Sequence, residues 1–161
     1  MRASLTISAL VSVTALAATG CLEGEPSKPT QAVIEIETDF DCSLLNDITI
    51  ALVDDKTFAK TTVASTDQCS NSSIGSLVFL PDHIDDGDDD LFFIVVVTAG
   101  LETPASECEA NGYLGCIVAR RRMTFASSKT VNILLSDACV GNECSFSTTC
   151  EAGECVPFTV P

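Results

Sequence analysis

The stretch Asp82-His83-Ile84-Asp85-Asp86-Gly87-Asp88-Asp89-Asp90 puts six aspartates into nine positions. Carboxylate oxygens at that density, on a turn between two strands, are the ligands calcium takes. Asp82, Asp85, Asp86, Asp88 and Asp90 are therefore the candidate calcium ligands, and calcium is the one cofactor the sequence suggests. An EF-hand is not the template. With Gly87 at the sixth loop position, Ile84 falls at the third and Phe93 at the twelfth, where that loop needs carboxylates. The simpler reading is a solvated loop whose charges keep the adjacent apolar strand from associating.

Arg120-Arg121-Arg122 is the one basic cluster. On a strand, Arg120 and Arg122 share a face and Arg121 points to the other. In so acidic a chain these side chains are expected to pair with neighbouring carboxylates, each pair contributing little stability. The alternative is that Arg120 and Arg122 form a site for an anionic ligand or partner. His83 is the lone histidine, so any Ser–His–Asp or Cys–His machinery would have to use it. It sits in the acidic loop, and neither a G-x-S-x-G elbow nor a Gly-rich phosphate loop occurs. No catalytic residue is assigned, and the chain is expected not to be an enzyme. Asn71-Ser72-Ser73 has the form of a glycosylation sequon.

Nine cysteines supply the remaining chemistry. Cys139, Cys144, Cys150 and Cys155 fall within seventeen residues in an x4-x5-x4 spacing. A four-thiolate zinc site tolerates such spacing, but exported thiols are oxidised. The regular spacing suggests two interleaved bridges, Cys139–Cys150 and Cys144–Cys155. Cys108 and Cys116 flank a glycine-containing turn and are expected to pair locally, which leaves Cys42 and Cys69. Eight cysteines allow 105 pairings, so the sequence does not decide among them.

The ninth, Cys21, follows a different kind of segment. Met1-Arg2 is basic, Ala3 to Ala18 is uncharged, and Ala18-Thr19-Gly20 precedes the cysteine. A basic start, an apolar run and small residues before a cut describe an export signal, here residues 1–20. The run is too short and too rich in Ser and Thr to read as a membrane span. Residues 18–21 resemble the lipobox of bacterial lipoproteins. That resemblance implies lipidation of Cys21, palmitate-type acylation and membrane anchoring through lipid. Removing Cys21 from nine leaves eight, an even number. Residues 21–31 then form the anchor and a tether, LEGEPSKPTQ, with two Pro, one Gly and three charges after the cysteine. Fully extended, it reaches about 35 Å.

The elements that must position these groups are strands. Ala32, Ile34 and Ile36 alternate with Val33, Glu35 and Glu37; Ile48, Ile50 and Leu52 alternate with Thr49 and Ala51. Both patterns fit half-buried strands. Residues 57–65, 74–80, 114–125 and 130–136 add four more. LFFIVVVT, residues 91–98, is a continuous apolar run expected to be buried on both faces. Seven strands at short spacing predict an all-β sandwich over residues 32–137, immunoglobulin/fibronectin-like or prealbumin-like. A small disulfide-rich C-terminal module, residues 138–161, is expected to follow, held by crosslinks for want of apolar residues.

Charge and composition bound the function. Eight Lys+Arg against 23 Asp+Glu give a net charge of −15, which repels phosphate backbones and excludes a nucleic-acid partner. At 46% hydrophobic residues the chain is not disordered. The C-terminal stretch, CIVARRRMTF through VNILLSDAC to CVGNECSFSTTCEAGECV, is similar to a recurrent pattern in uncharacterised Cys-rich lipoproteins of myxobacteria. The resemblance covers residues 116–156 and the lipobox, and implies an envelope location. Leu22 and Glu23 lack the Asp that retains enterobacterial lipoproteins at the inner membrane, which points to the outer membrane. The expected function is that of a lipid-anchored, non-catalytic binding or structural module. Its partners would be the membrane, through the anchor, and an envelope or extracellular protein. The rival expectations are calcium-assisted adhesion through residues 82–90 and a small envelope hydrolase.

Overall fold

A computed structural model describes residues 31–54, 57–80, 92–124 and 129–158. The acidic loop, His83, Cys21 and the leader lie outside these residues. The described chain is all-β: β1 (Ala32–Thr38), β2 (Asp47–Asp54), β3 (Lys60–Thr66), β4 (Ser73–Phe79), β5 (Phe92–Gly100), β6 (Cys116–Thr124), β7 (Lys129–Leu135), β8 (Thr148–Glu151) and β9 (Glu154–Pro157). Single 3-10 turns at Cys42–Leu44 and Asp137–Cys139 complete the regular structure.

Three strands form one sheet in the order β4-β1-β7, and four form a second in the order β3-β2-β5-β6. β1 runs antiparallel to β4 and parallel to β7; every neighbour pair in the second sheet is antiparallel. Alternation decides which face goes inward. Ile34 and Ile36 of β1, Ile133 and Leu135 of β7, and Ile48, Val95, Val97 and Ile117 of the facing sheet join one buried cluster. Glu35 and Glu37, between the buried positions of β1, are exposed. Burying a side chain the size of Ile or Val contributes about 1.5–3 kcal/mol, so this shared core is the main stabilising term.

The continuous apolar run behaves as expected. From Phe93 to Gly100 every residue of β5 is buried. Phe93, Val95, Val97 and Ala99 face the core, while Ile94 and Val96 join Val53 and Val118 in a second cluster on the outer face of the sheet. Tyr113 and Phe158 pack over that outer cluster. The outer face is thus covered from two sides, by the 101–115 connection and by the C-terminal segment.

The four disulfides are Cys42–Cys69, Cys108–Cys116, Cys139–Cys150 and Cys144–Cys155. These are the pairings that the spacing suggested. The first joins the β1–β2 and β3–β4 connections, and the second staples the 101–115 connection to the start of β6. The C-terminal segment contains a hairpin that the sequence did not announce, β8–β9, with Cys150 opposite Cys155. Its cysteines do more than crosslink. Cys139, Cys144 and Cys150 belong to the same buried cluster as the sandwich core, so this segment takes its apolar support from the body.

Strand limits differ from expectation at one point that matters below. β3 begins at Lys60; Thr57 lies in a turn and Phe58 has φ +57°. The Asp54 carboxylate accepts from the Thr57 backbone N–H at 2.6 Å and from its hydroxyl at 2.8 Å, and the Phe58 N–H donates to the Asp54 carbonyl at 2.9 Å. These bonds turn the chain before the strand can start.

Candidate functional site

β6 carries the three arginines along the second sheet, and its alternation sends them to different environments. Arg121 lies on the face of Ile117, Ala119 and Met123, at the sheet edge. Its Nη2 reaches Glu151 of β8 at 2.9 Å, the expected carboxylate pairing. Arg120 and Arg122 lie on the outer face, opposite Val96 and Ile94 of β5.

Arg120 is 6% exposed. Its Nη1 donates to the Cys144 and Thr148 carbonyls at 3.4 and 3.3 Å, and its guanidinium lies 6.0 Å from the Tyr113 ring centre. Arg120 is a strut between β6 and the Cys-rich segment, and burial withdraws it from the anionic site expected of it together with Arg122. Its backbone N–H, on the free edge of β6, donates to Thr149 Oγ1 at 2.9 Å, and Thr149 is fully buried. The isosteric change Thr149→Val leaves that N–H buried without an acceptor, which costs about 1–3 kcal/mol. Chemical denaturation should show a lower midpoint with an unchanged slope.

Arg122 faces an open recess of about 380 Å³. The walls come from distant parts of the chain: Phe58 from the β2–β3 turn, Ile94 from β5, Phe146 and Ser147 from the segment before β8, and Phe158 after β9. The guanidinium carbon sits 4.0 Å from the centre of the Phe92 ring, within cation–π range. Phe58 and Phe146 meet edge to face, 5.3 Å between ring centres and 76° between planes. Both remain exposed, at 61% and 42%. Four of the chain's eight phenylalanines, Phe58, Phe92, Phe146 and Phe158, gather around one guanidinium.

A second recess, about 160 Å³, lies at the other end of the same outer face, among Thr49, Thr62, Thr98 and Tyr113. Lys60 and Glu109 close across it at 2.8 Å. The Lys60 hydrogen bond, then its charge, holds the Glu109 carboxyl below its ordinary range. With its pKa lowered on folding, Glu109 contributes stability above the ordinary carboxylate pKa, and that contribution is lost as pH falls through the lowered value. Both partners are solvent-exposed, so the effect is small. Among the described residues, this ion pair joins the charged groups that line the second recess, whereas Arg122 lines the first beside apolar residues and Ser147.

Among the described residues no group of three or more His, Cys, Asp or Glu could hold a metal ion, and no helix is long and apolar enough to cross a membrane. The candidate calcium ligands Asp82, Asp85, Asp86, Asp88 and Asp90 fall outside the described residues. Of the recess, sequence reasoning singled out Arg122 alone. Phe58, Phe146 and Phe158 carried no joint signal, because the folded sheet alone brings them together. Comparison with family models, curated proteins and solved structures finds no match to this chain.

Proposed function

We propose that this chain is an exported lipoprotein, anchored by lipid at Cys21 in the bacterial envelope, whose β-sandwich acts as a non-catalytic binding module. The observation that carries the reading is cysteine use. Eight of nine cysteines form four disulfides, and the one left over is Cys21, directly after Ala18-Thr19-Gly20. Four bridges in one small chain suit an oxidising compartment. There an unpaired thiol would be a liability, and lipidation removes it. The paired thiols are also withdrawn from nucleophilic chemistry, in keeping with binding rather than catalysis.

The finer fold we propose is prealbumin-like. Its support is the strand order. In an immunoglobulin constant domain the second strand pairs with the first and fifth. Here β2 pairs with β3 and β5, and β1 sits between β4 and β7. The myxobacterial resemblance and the residues after Cys21 favour the outer membrane, with the body in the periplasm or at the cell surface and an envelope or extracellular protein as partner.

Expression in a lipoprotein-processing bacterium tests the anchor. Intact-mass spectrometry should show a chain starting at Cys21 and carrying acyl chains, recovered with membranes. Cys21→Ser should abolish the acyl mass and release the protein into the soluble fraction. A wild-type product without acyl mass, or with Cys21 in a disulfide, would refute the reading.

A further inference from the structure

We infer that the recess among Thr49, Thr62 and Thr98 is a binding site for a neutral polyhydroxy ligand, a single sugar ring or a small polyol. The inference rests on the reading of the body as a binding module and gives that module a ligand class.

The placement of the threonines comes first. β5 is apolar from Phe92 to Val97, and Thr98 breaks the run while staying only 4% exposed. It lies on the outer face of the sheet and lines the recess. Thr49 of β2 is directly opposite it in the strand pair. Such partners have Cβ atoms about 4.5–5.5 Å apart, within reach of a Thr–Thr hydrogen bond. These two do not bond each other, and among the described residues neither hydroxyl has a hydrogen-bond partner in the chain. Buried polar groups are normally paired, so a hydroxyl without a protein partner needs a reason. Thr98 opens into the recess, and its partner is whatever fills that space.

Donors and acceptors set the ligand class. A hydroxyl gives one hydrogen and accepts on two lone pairs. Thr62 of β3, Thr49 of β2 and Thr98 of β5 set three such groups on adjacent strands. The complement of groups that both give and accept is a ligand with several hydroxyls of its own. An ion would look for Lys60 or Glu109, but among the described residues these bind each other, at 2.8 Å. The recess holds about 160 Å³, the share of about five water molecules in the liquid. That room suits a three-carbon polyol or one sugar ring and falls below the range for drug-sized ligands.

The opposite wall is already in place. Ala105, Ser106 and Tyr113 of the 101–115 connection line the recess. Cys108–Cys116 staples this connection to β6, and the Ala105 N–H donates to the Asp47 carboxylate at 2.7 Å. The Tyr113 N–H donates to the Cys108 carbonyl at 2.7 Å. A wall held in this way does not have to be ordered by the ligand, which favours binding through a few neutral hydrogen bonds.

The test uses the full chain with Cys21→Ser, so that the result is independent of lipidation. Amide chemical-shift mapping and calorimetry would be run with glycerol and the methyl glycosides of glucose, galactose and mannose. Cyclohexanol, a ring with one hydroxyl, is the control. At least one of the four polyols should bind saturably, with Kd of about 1–10 mM for so small a ligand. Shifts should centre on Thr49, Thr62, Thr98 and Tyr113, and cyclohexanol should bind at least about tenfold more weakly. The affinity should change by less than about twofold between about 0.05 and 0.5 M salt, since a neutral ligand has no charge to screen. Thr98→Val keeps the shape and removes the hydroxyl. It should hold or raise the melting temperature, because no protein partner is left unpaired, and weaken the polyol about tenfold. Thr49→Val should weaken it too, whereas Thr61→Val, on β3 outside the recess, should not. A clear loss of stability in Thr98→Val would mean that its hydroxyl already serves the fold, and would overturn the assignment. So would no saturable binding of any polyol, equal binding of cyclohexanol, strong salt dependence, or shifts centred elsewhere. Acylation of Cys21 is read by mass, and none of those outcomes bears on it.

Discussion

Gly100→Ala should destabilise the protein by about 3 kcal/mol or more, a drop in melting temperature of about 10 °C. Gly100 is the last residue of β5, paired with Asp47 on one side and Cys116 on the other. The chain then folds back over it. A Cβ on Gly100 would overlap the Thr103 carbonyl oxygen and lie 2.6 Å from the Ala105 nitrogen and 2.9 Å from the Pro104 carbonyl carbon. These are backbone atoms, so no side chain can swing aside. Nor can the segment retreat cheaply. The Ala105 N–H donates to the Asp47 carboxylate at 2.7 Å, and the Asn46 N–H donates to the Gly100 carbonyl at 2.9 Å. Gly112→Ala is the control. It has positive φ but open space around it, so its cost is limited to the left-handed backbone, about 1–2 kcal/mol. Melting curves with disulfides intact would measure both. Equal losses would mean that residues 103–105 do not press on β5.

Gly100 also marks where sequence reading reaches its limit. Ala99-Gly100 reads as punctuation after an apolar run, whereas the structure uses the glycine inside the strand, for close approach of another segment. The alternating strands were legible because each has one wet face and one dry face, as in Ala32, Ile34 and Ile36. The run at 93–97 was legible because it has two dry faces. What covers the second face was not, since residues 101–115 and 146–158 have no periodicity to read. The β8–β9 hairpin was hidden for a local reason. Its turn residues Ala152 and Gly153 both have positive φ, the geometry of a two-residue hairpin, but Ala replaces the Asn or Asp that usually signals it. The recess at Arg122 failed for a topological reason. Phe58 and Phe146 lie in segments with no sequence relation, and the sheet alone makes them neighbours.

The second large effect expected is that removing the Cys139–Cys150 bridge will cost more than removing Cys42–Cys69. Chain entropy alone argues the reverse. The bridges span 11 and 27 residues, and the longer loop should confer about 0.8 kcal/mol more stabilisation. Burial outweighs that difference. Cys139 and Cys150 are 2% and 4% exposed within the main core, whereas Cys42 and Cys69 are only partly buried. Replacing both buried cysteines with alanine removes two sulfurs, each at least the size of a methylene. At about 0.8 kcal/mol per buried methylene that forfeits about 1.6 kcal/mol before any cavity term. Cys139→Ala with Cys150→Ala should therefore cost about 4–5 kcal/mol, and Cys42→Ala with Cys69→Ala about 3–4 kcal/mol. The first pair should also loosen what it anchors. Arg120 bonds to the carbonyls of Cys144 and Thr148, and Arg121 pairs with Glu151, all in the segment that this bridge ties to the body. Hydrogen exchange at residues 144–156 should accelerate in that variant while β1 and β5 stay protected near the global limit. The opposite ordering of stabilities, with residues 144–156 still protected, would mean that this bridge and its buried sulfurs are not what holds the Cys-rich segment to the body.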